Sequence, residues 1–266
     1  MRFDTNEKFG IETAKRAESF RMPYLNSHNS YEIYFLENGH SSILIDGEII
    51  DVTTNNIVLI SPNVLHRYCG KYSHERTVIY FDDEFLDIYF TPYAKKAVTE
   101  IFQNKALETP KSERGKISYL IEKLKKSGKD DLDGIFYILF ELLASLKNCK
   151  RADPSPRYVN KSINKILDYI NQNYQNIKNL DEIAANFYLT KEYMCNCFKK
   201  ATGMTVIDYI NSLKLQKAAQ LLQNTKKPVT QVSLECGFNS SSYFCRVFKK
   251  AMSMTPKEYR KGIHTA

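Results

Sequence analysis

Three side chains in the N-terminal half, His28, Glu32 and His66, are of the types that bind transition-metal ions. Two imidazoles and one carboxylate are an acceptable ligand set for Fe, Mn or Zn. The same residues also suit a polar pocket for a small organic molecule, because several tyrosines lie in the same segments. We predict the second kind of site and expect no metal or other cofactor. The predicted ligand-binding residues are His28, Glu32, Tyr34, His66, Tyr68 and Tyr80.

Two side chains near the C-terminus, Asn196 and Arg246, suit the edges of DNA bases. Arginine pairs with guanine O6 and N7, and asparagine pairs with adenine N6 and N7. The positive charge is concentrated in the same region. Residues 157–266 contain 17 Lys and Arg against 7 Asp and Glu, whereas residues 1–156 contain 21 against 23. This segregation favours a polyanion as the partner of the C-terminal part.

The C-terminal part also contains a repeated phrase. Residues 198–205 read FKKATGMT, residues 248–255 read FKKAMSMT, and Tyr209 and Tyr259 follow at equal distances. Such a repeat indicates a structural unit used twice. Each copy has the pattern of a short helix, a tight turn and a second helix, which is the outline of a helix-turn-helix. A helix over 205–222 would be about 26 Å long, which could set two reading helices in adjacent major grooves about 34 Å apart.

The exposed face of each second helix is predicted to read bases, and the lysines and helix starts are predicted to bind phosphate. Phe198, Phe248, Tyr193 and Tyr243 are predicted to pack in two small cores. The predicted base-contacting residues are Lys191, Glu192, Cys195, Asn196, Ser240, Ser241, Ser242 and Arg246. The predicted phosphate-contacting residues are Thr190, Lys199, Lys200, Asn239, Lys249 and Lys250.

The N-terminal half has a different pattern. Segments 31–39, 41–51, 56–68 and 75–81 read as short antiparallel strands, with Asp46-Gly47 at a hairpin tip, and indicate a small barrel or jelly roll. Helical periodicity follows from about 93 to 148. The apolar stripe Ile135, Leu139, Leu142 and Leu146 either packs on the barrel or forms a dimer contact. We therefore predict an α+β protein with a domain of strands and helices over 1–148, a linker over 149–158 and a helical DNA-binding domain over 159–266.

The location is predicted from two further features. The N-terminal sequence lacks the apolar core of a secretory signal, and the most apolar stretch, 135–146, is too short to span a bilayer. The six cysteines are scattered and form no CxxC pair. We expect a cytoplasmic protein with reduced thiols and no membrane partner.

The C-terminal part, 160–261, resembles the AraC/XylS family of bacterial transcription regulators. The resemblance is carried by LDEIAANFYLTKEYMCNCFKKATG and most specifically by GFNSSSYFCRVFKK followed by TPKEYR. It implies two helix-turn-helix units joined by one rigid helix. Residues 27–68 resemble the cupin-like sensor domain of the family, although Asn26 stands where the family often has a first histidine. TNNIVLI also stands where many members have Pro-Gly-Asp before the strand.

The resemblance favours a regulator that is not an enzyme. It would bind double-stranded DNA specifically, respond to a small-molecule effector such as a sugar, and form a homodimer through its N-terminal half. We expect it to be an activator, which would also contact RNA polymerase. Two alternatives stay open: a cupin-type metalloenzyme with an accessory DNA-binding domain, and a nonspecific DNA-binding protein.

Overall fold

The computed structural model of the chain describes residues 8–17, 25–54, 56–69, 72–128, 130–152 and 161–263. The chain divides into two compact units, of which the first includes Asn26–Tyr158 and the second Val159–Ala266. The first unit contains both strands and helices, and the described part of the second unit is helical, so the predicted α+β class is confirmed. Within the described ranges, no helix is both long and apolar enough to cross a membrane.

The first unit is built from two antiparallel sheets. One sheet has the strand order β1-β7-β2-β5-β8-β9, and the other has the order β4-β3-β6. Strands β1, β8 and β9 all lie outside the segments that the sequence pattern predicts as strands. The bounds are β1 (Phe9–Arg16), β2 (Tyr31–Gly39), β3 (Ser41–Ile45), β4 (Glu48–Val52), β5 (Asn56–Ile60), β6 (His66–Tyr68), β7 (His74–Phe81), β8 (Ala106–Glu108) and β9 (Lys150–Arg151).

The start of the predicted linker, 149–158, belongs to the first unit. Lys150 and Arg151 form β9 and pair with Glu108 and Leu107 of β8. The backbone N–H of Ala152 then donates to the carbonyl of Ala106 at 3.0 Å. These bonds satisfy the open edge of β8, which a solvent-exposed linker would leave unpaired. Residues 153–158 of the predicted linker lie outside the described residues.

Helices cover one face of the six-stranded sheet. The helices of this unit are α1 (Asp83–Tyr89), α2 (Pro92–Thr99), a 3-10 turn (Glu100–Asn104), α3 (Lys111–Lys126) and α4 (Leu132–Leu146). The predicted apolar stripe of α4, from Ile135 to Leu146, is buried in the same core as Ile33 and Ile79 of the sheet. Burial against the sheet therefore removes this stripe as a surface for dimer formation. The exposed large apolar side chains of α4 are Leu132, Tyr137 and Phe140, at 41%, 70% and 44% exposure.

The second unit consists of helices in the described residues, and the repeated phrase makes the same contacts twice. The rings of Phe198 and Tyr209 lie 5.6 Å apart, and those of Phe248 and Tyr259 lie 5.4 Å apart. The repeat is thus one small core used in both halves. The helices are α5 (Lys161–Asn173), α6 (Leu180–Asn186), α7 (Lys191–Thr202), α8 (Val206–Asn224), α9 (Val229–Glu235), α10 (Ser241–Met252) and α11 (Pro256–Ile263).

The predicted core position of Tyr193 is wrong. The buried face of α7 is formed by Met194, Phe198, Ala201 and Thr202, and Tyr193 lies beside it at 53% exposure. Its counterpart Tyr243 is half-buried, because α8 passes close to α10 and supplies a hydrogen-bond partner there. The two copies therefore share their phenylalanines but not the environment of this tyrosine.

The two second helices end in the left-handed conformation on different residues. Gly203 ends α7 at φ 73°, and Ser253 ends α10 at φ 60°. Glycine adopts this conformation without the Cβ clash that serine has. We expect Ser253→Gly to raise the free energy of unfolding by about 0.5–1 kcal/mol, measured by urea unfolding. The reciprocal control, Gly203→Ser, should lower it by a similar amount, and an unchanged or lowered stability of Ser253→Gly would contradict the argument.

Candidate ligand site and DNA interface

The ligand residues predicted from the sequence converge between the two sheets of the first unit. Glu32 and Tyr34 lie on one face of β2, and Tyr80 of β7 is the direct cross-strand partner of Glu32. The smaller sheet supplies His66 and Tyr68, and the Tyr34 and Tyr68 rings stack with centroids 5.2 Å apart. Alternation along the strands puts these side chains on facing surfaces.

Glu32 is the buried centre of a cluster with two histidines. Its side chain is fully buried, and its Oε2 lies 3.1 Å from Nε2 of His28 and 3.6 Å from Nε2 of His66. Burial by itself would raise the pKa of Glu32, but the facing imidazoles and the guanidinium of Arg76 outweigh it and lower the pKa. Burial lowers the pKa of His66 below its ordinary value, against the opposing effect of Glu32. The neighbouring positive groups therefore favour the ionised form of this buried carboxyl group.

Arg76 is a ligand-site candidate that the sequence analysis missed. It is 3% exposed, and its Cζ atom lies 4.8 Å from the ring centre of Tyr68 and 5.8 Å from that of Tyr34. Among the described residues, its Nε and Nη1 atoms have no hydrogen-bond partner, and neither does the hydroxyl of Tyr68. Buried donors without a partner are costly, so their presence points to an acceptor supplied by a ligand or by water. An arginine within the apolar strand ERTVIYF was the signal in the sequence.

The first helix-turn-helix consists of α6 and α7. Thr190 caps α7, because its Oγ1 accepts from the backbone N–H of Tyr193 at 3.3 Å. Of the predicted base readers, Lys191, Glu192 and Asn196 are exposed, whereas Cys195 is half-buried. The ammonium of Lys191 lies 3.2 Å from Asp181 of α6 and so joins the two helices at the surface. The predicted phosphate residues Lys199 and Lys200 are exposed in the last turn.

The second helix-turn-helix consists of α9 and α10. Ser240 caps α10 through an Oγ that accepts from the N–H of Tyr243 at 3.3 Å, so this hydroxyl is already engaged at the helix start. Ser242 and Arg246 are exposed, and Ser241 is half-buried. The Arg246 guanidinium lies over the Tyr243 ring at 5.3 Å, which restrains the direction of the arginine. The predicted phosphate residues Asn239, Lys249 and Lys250 are exposed.

Helix α8 fixes both second helices. Its 19 residues span about 28 Å, at about 1.5 Å per residue. Tyr209 donates to Asn171 of α5 at 2.7 Å and packs on Phe198 of α7. On the other side, Asn211 donates to the hydroxyl of Tyr243 at 2.9 Å. Buried Lys214 donates to the carbonyl of Gly237 in the second turn. A single rigid helix thus positions α7 and α10.

Paired helix-turn-helix units on one connecting helix, accompanied by a sheet unit with a buried polar site, define a ligand-binding and DNA-binding transcription regulator. The family profile described as helix-turn-helix domain matches residues 183–262, and the profile described as AraC-like ligand binding domain matches residues 12–90. The chain belongs to the AraC/XylS family of transcription regulators.

Similar proteins are named as transcription regulators. The HTH-type transcriptional activator RhaR of Mannheimia succiniciproducens is 25% identical over 240 residues, covering 89% of this chain and 86% of that protein. The HTH-type transcriptional activator RhaS of Escherichia coli SE11 is 30% identical over 100 residues, which is 38% of this chain and 36% of that protein. The structure of ToxT from Vibrio cholerae aligns over 95% of this chain and 98% of ToxT, with 15% identity and a TM-score of 0.37.

Proposed function

We propose that this chain is a transcription activator that binds a specific promoter sequence and is controlled by a small molecule bound in its sheet unit. The main support is the fixation of α7 and α10 by α8. Two capped helices held on a connector about 28 Å long suit successive major grooves on one side of B-DNA, which lie about 34 Å apart. A protein that binds DNA without sequence preference would need neither this spacing of the two helices nor the restraint of Arg246 by Tyr243.

The roles of individual residues in DNA binding follow from their placement. We propose that Asn196 and Arg246 read bases, since both are exposed on the outer faces of their helices. Ser242 and Glu192 would lie beside them. The hydroxyls of Thr190 and Ser240 cap their helices, so we assign both residues to the phosphate-facing helix starts and not to base reading.

The effector is proposed to be a small, oxygen-rich metabolite, such as a sugar or a sugar acid. The unpartnered donors of Arg76 and the hydroxyl of Tyr68 would bind its oxygens, and the rings of Tyr34 and Tyr68 would pack on its carbon face. Burial raises the pKa of Tyr34 to about 12, so this phenol stays neutral and can donate to a ligand oxygen. A carboxylate on the effector would add a charge-assisted bond to Arg76.

The same proposal includes the location of the protein, its oligomeric state and a contact with RNA polymerase. We place the protein in the cytoplasm beside the chromosome, as a homodimer that contacts RNA polymerase when active. For the dimer contact, we propose the exposed apolar side chains of α4, which are Leu132, Tyr137 and Phe140, in place of the buried stripe predicted from the sequence. Sedimentation of the full-length chain tests the oligomeric state.

The proposal is tested by gel shift and footprinting with the full-length chain on the DNA upstream of its neighbouring genes. We expect a protected site spanning two adjacent major grooves, a protection pattern that changes with the effector, and at least about 1,000-fold preference over random DNA at physiological salt. Sugars and sugar acids are the first effector panel. Equal competition by random DNA would exclude specific regulation and leave the nonspecific alternative.

Arg246→Ala is expected to weaken binding at the specific site by about 1–3 kcal/mol and to relax preference at one base pair. The physical reason is the loss of a bidentate contact that discriminates between bases. The measurement is a titration against the site and its single-base variants. As the control, Lys249→Ala should weaken binding to every sequence and reduce the salt dependence. An equal loss on all sequences with Arg246→Ala would make it a phosphate contact.

A further inference from the structure

The cluster of His28, Glu32 and His66 brings hydrogen-bond acceptors face to face, an arrangement that binding of an organic effector does not require. The Nδ1 atom of His28 lies 3.1 Å from the carbonyl of Ser30, and that of His66 lies 3.0 Å from the carbonyl of Val64. A carbonyl oxygen only accepts, so each Nδ1 carries the ring proton. In a neutral imidazole this leaves a lone pair on Nε2. Both Nε2 atoms face the Glu32 carboxylate, which is itself an acceptor.

Acceptor groups that face one another in a buried place require something positive between them. A proton on His28 would satisfy its 3.1 Å contact with Glu32. It would leave His66, at 3.6 Å from the same oxygen, and the unpartnered Oε1 of Glu32 without a donor. A cation would satisfy both imidazoles and the carboxylate together. Carbonyl groups that hold the distal ring nitrogens are also the usual support for metal-binding histidines.

The distances suit a metal ion. The three potential ligand atoms all lie within 4.8 Å of one another. Two ligands at about 2.0–2.1 Å from a tetrahedral ion are separated by roughly 3.3 Å. The separations of 3.1 Å and 3.6 Å between Glu32 and the two histidines lie on either side of that value. The side chain of His28 is 17% exposed, whereas those of Glu32 and His66 are almost fully buried, so an ion would enter past His28.

We propose that His28, Glu32 and His66 bind one divalent transition-metal ion, such as Zn²⁺, Fe²⁺ or Mn²⁺, inside the sheet unit. Two imidazoles and one carboxylate favour these ions over Mg²⁺ and Ca²⁺, which prefer shells made of oxygen. Three protein ligands leave coordination positions for water or for an oxygen of a bound molecule. The missing histidine at position 26 does not remove the site, since the backbone of Asn26 pairs with that of His66 and holds the strand that carries this ligand.

The test is binding of Co²⁺ and Zn²⁺ to the full-length chain after removal of metal with a chelator. We expect one Co²⁺ per chain with visible d–d bands, and a transition temperature raised by several degrees in Zn²⁺ but not in Mg²⁺. Thiolate charge-transfer bands should be absent, which excludes binding by the free cysteines. The variants His66→Ala and His28→Gln should each bind at least about 100-fold more weakly. Because His28 is partly exposed, His28→Gln is expected to stay folded even where His66→Ala does not.

The matched control is His40→Ala, which removes a histidine outside the cluster and should leave metal affinity unchanged. Equal metal binding by His28→Gln and the unaltered chain, or thiolate bands in the Co²⁺ spectrum, would overturn the proposal. Absence of stoichiometric binding would do so too, and would assign the cluster to a shared proton. Footprinting with the effector panel is a separate measurement. If the chain binds no metal but still gives an effector-dependent footprint, the metal proposal fails and the proposed function stands.

Discussion

Replacing Phe248 with alanine is expected to lower the free energy of unfolding of the second unit by about 3–5 kcal/mol. Phe248 is fully buried and lies between the rings of Phe244 and Tyr259, at 5.5 Å and 5.4 Å. Truncation removes the ring that joins α10 to α11 and leaves a cavity that two helices cannot close. The transition temperature of this unit should fall by more than about 10 °C in calorimetry. Specific DNA binding should be lost at temperatures where the first unit is still folded.

Two controls separate packing from general sensitivity. Phe248→Leu retains most of the buried volume and should cost less than the alanine variant. Tyr193→Ala removes a ring of similar size from an exposed position of the first copy and should change stability by no more than about 0.5 kcal/mol. A loss of several kcal/mol on Tyr193→Ala would contradict the exposed position of this tyrosine and support the core position predicted from the sequence repeat.

Gly237→Ala is expected to cost about 2–4 kcal/mol and to disable the second helix-turn-helix. Gly237 has φ 79°, and a Cβ atom there would lie 2.4 Å from the carbonyl oxygen and 3.0 Å from the Cα of Gln175. These are backbone atoms of the segment after α5, so relief would require the segment itself to move. The left-handed conformation alone is tolerated in the first copy, where Tyr188 adopts φ 55°. The clash with Gln175 therefore accounts for most of the expected loss.

Urea unfolding and titration with the specific site measure this effect together. The control is Gly115→Ala in α3, where an added Cβ meets no atom of the described residues within 4 Å and should stabilise the helix by about 0.5–1 kcal/mol. Near-normal stability of Gly237→Ala would show that the loop after α5 adapts easily. The contact between Lys214 and the Gly237 carbonyl would then not be a rigid link between α8 and the second turn.

The amount of the fold that could be predicted depended on local signals. The second helix of each copy, which is α7 or α10, could be predicted because the repeated FKK phrase is a local signal that recurs at the same place in both copies. Strand β9 was missed, since two consecutive basic residues become a strand only by pairing with β8. The burial of the α4 stripe was left undecided for the same reason: an amphipathic helix carries no mark that distinguishes its own sheet from a second chain.

The candidate sites were predictable to different degrees. Of the predicted ligand residues, His28 and Glu32 are four positions apart, and alternation was enough to place Glu32 and Tyr34 on one face. Arg76 could not be assigned, because its neighbours Tyr34 and Tyr68 reach it only through β7 pairing with β2 and through packing of the second sheet. Ser240 was taken for a base reader, although its hydroxyl is used by the backbone at the start of α10.

The sequence by itself determined the class of the chain, the two-copy scaffold and the basic character of the helical unit, because residue type, spacing and charge are properties of the chain alone. Only the tertiary structure decided which polar groups meet in the sheet unit. It also decided which face of α4 is covered and how α8 holds the two second helices. Those outcomes depend on contacts between segments far apart in sequence, and such contacts are formed only when strands choose their partners and helices pack.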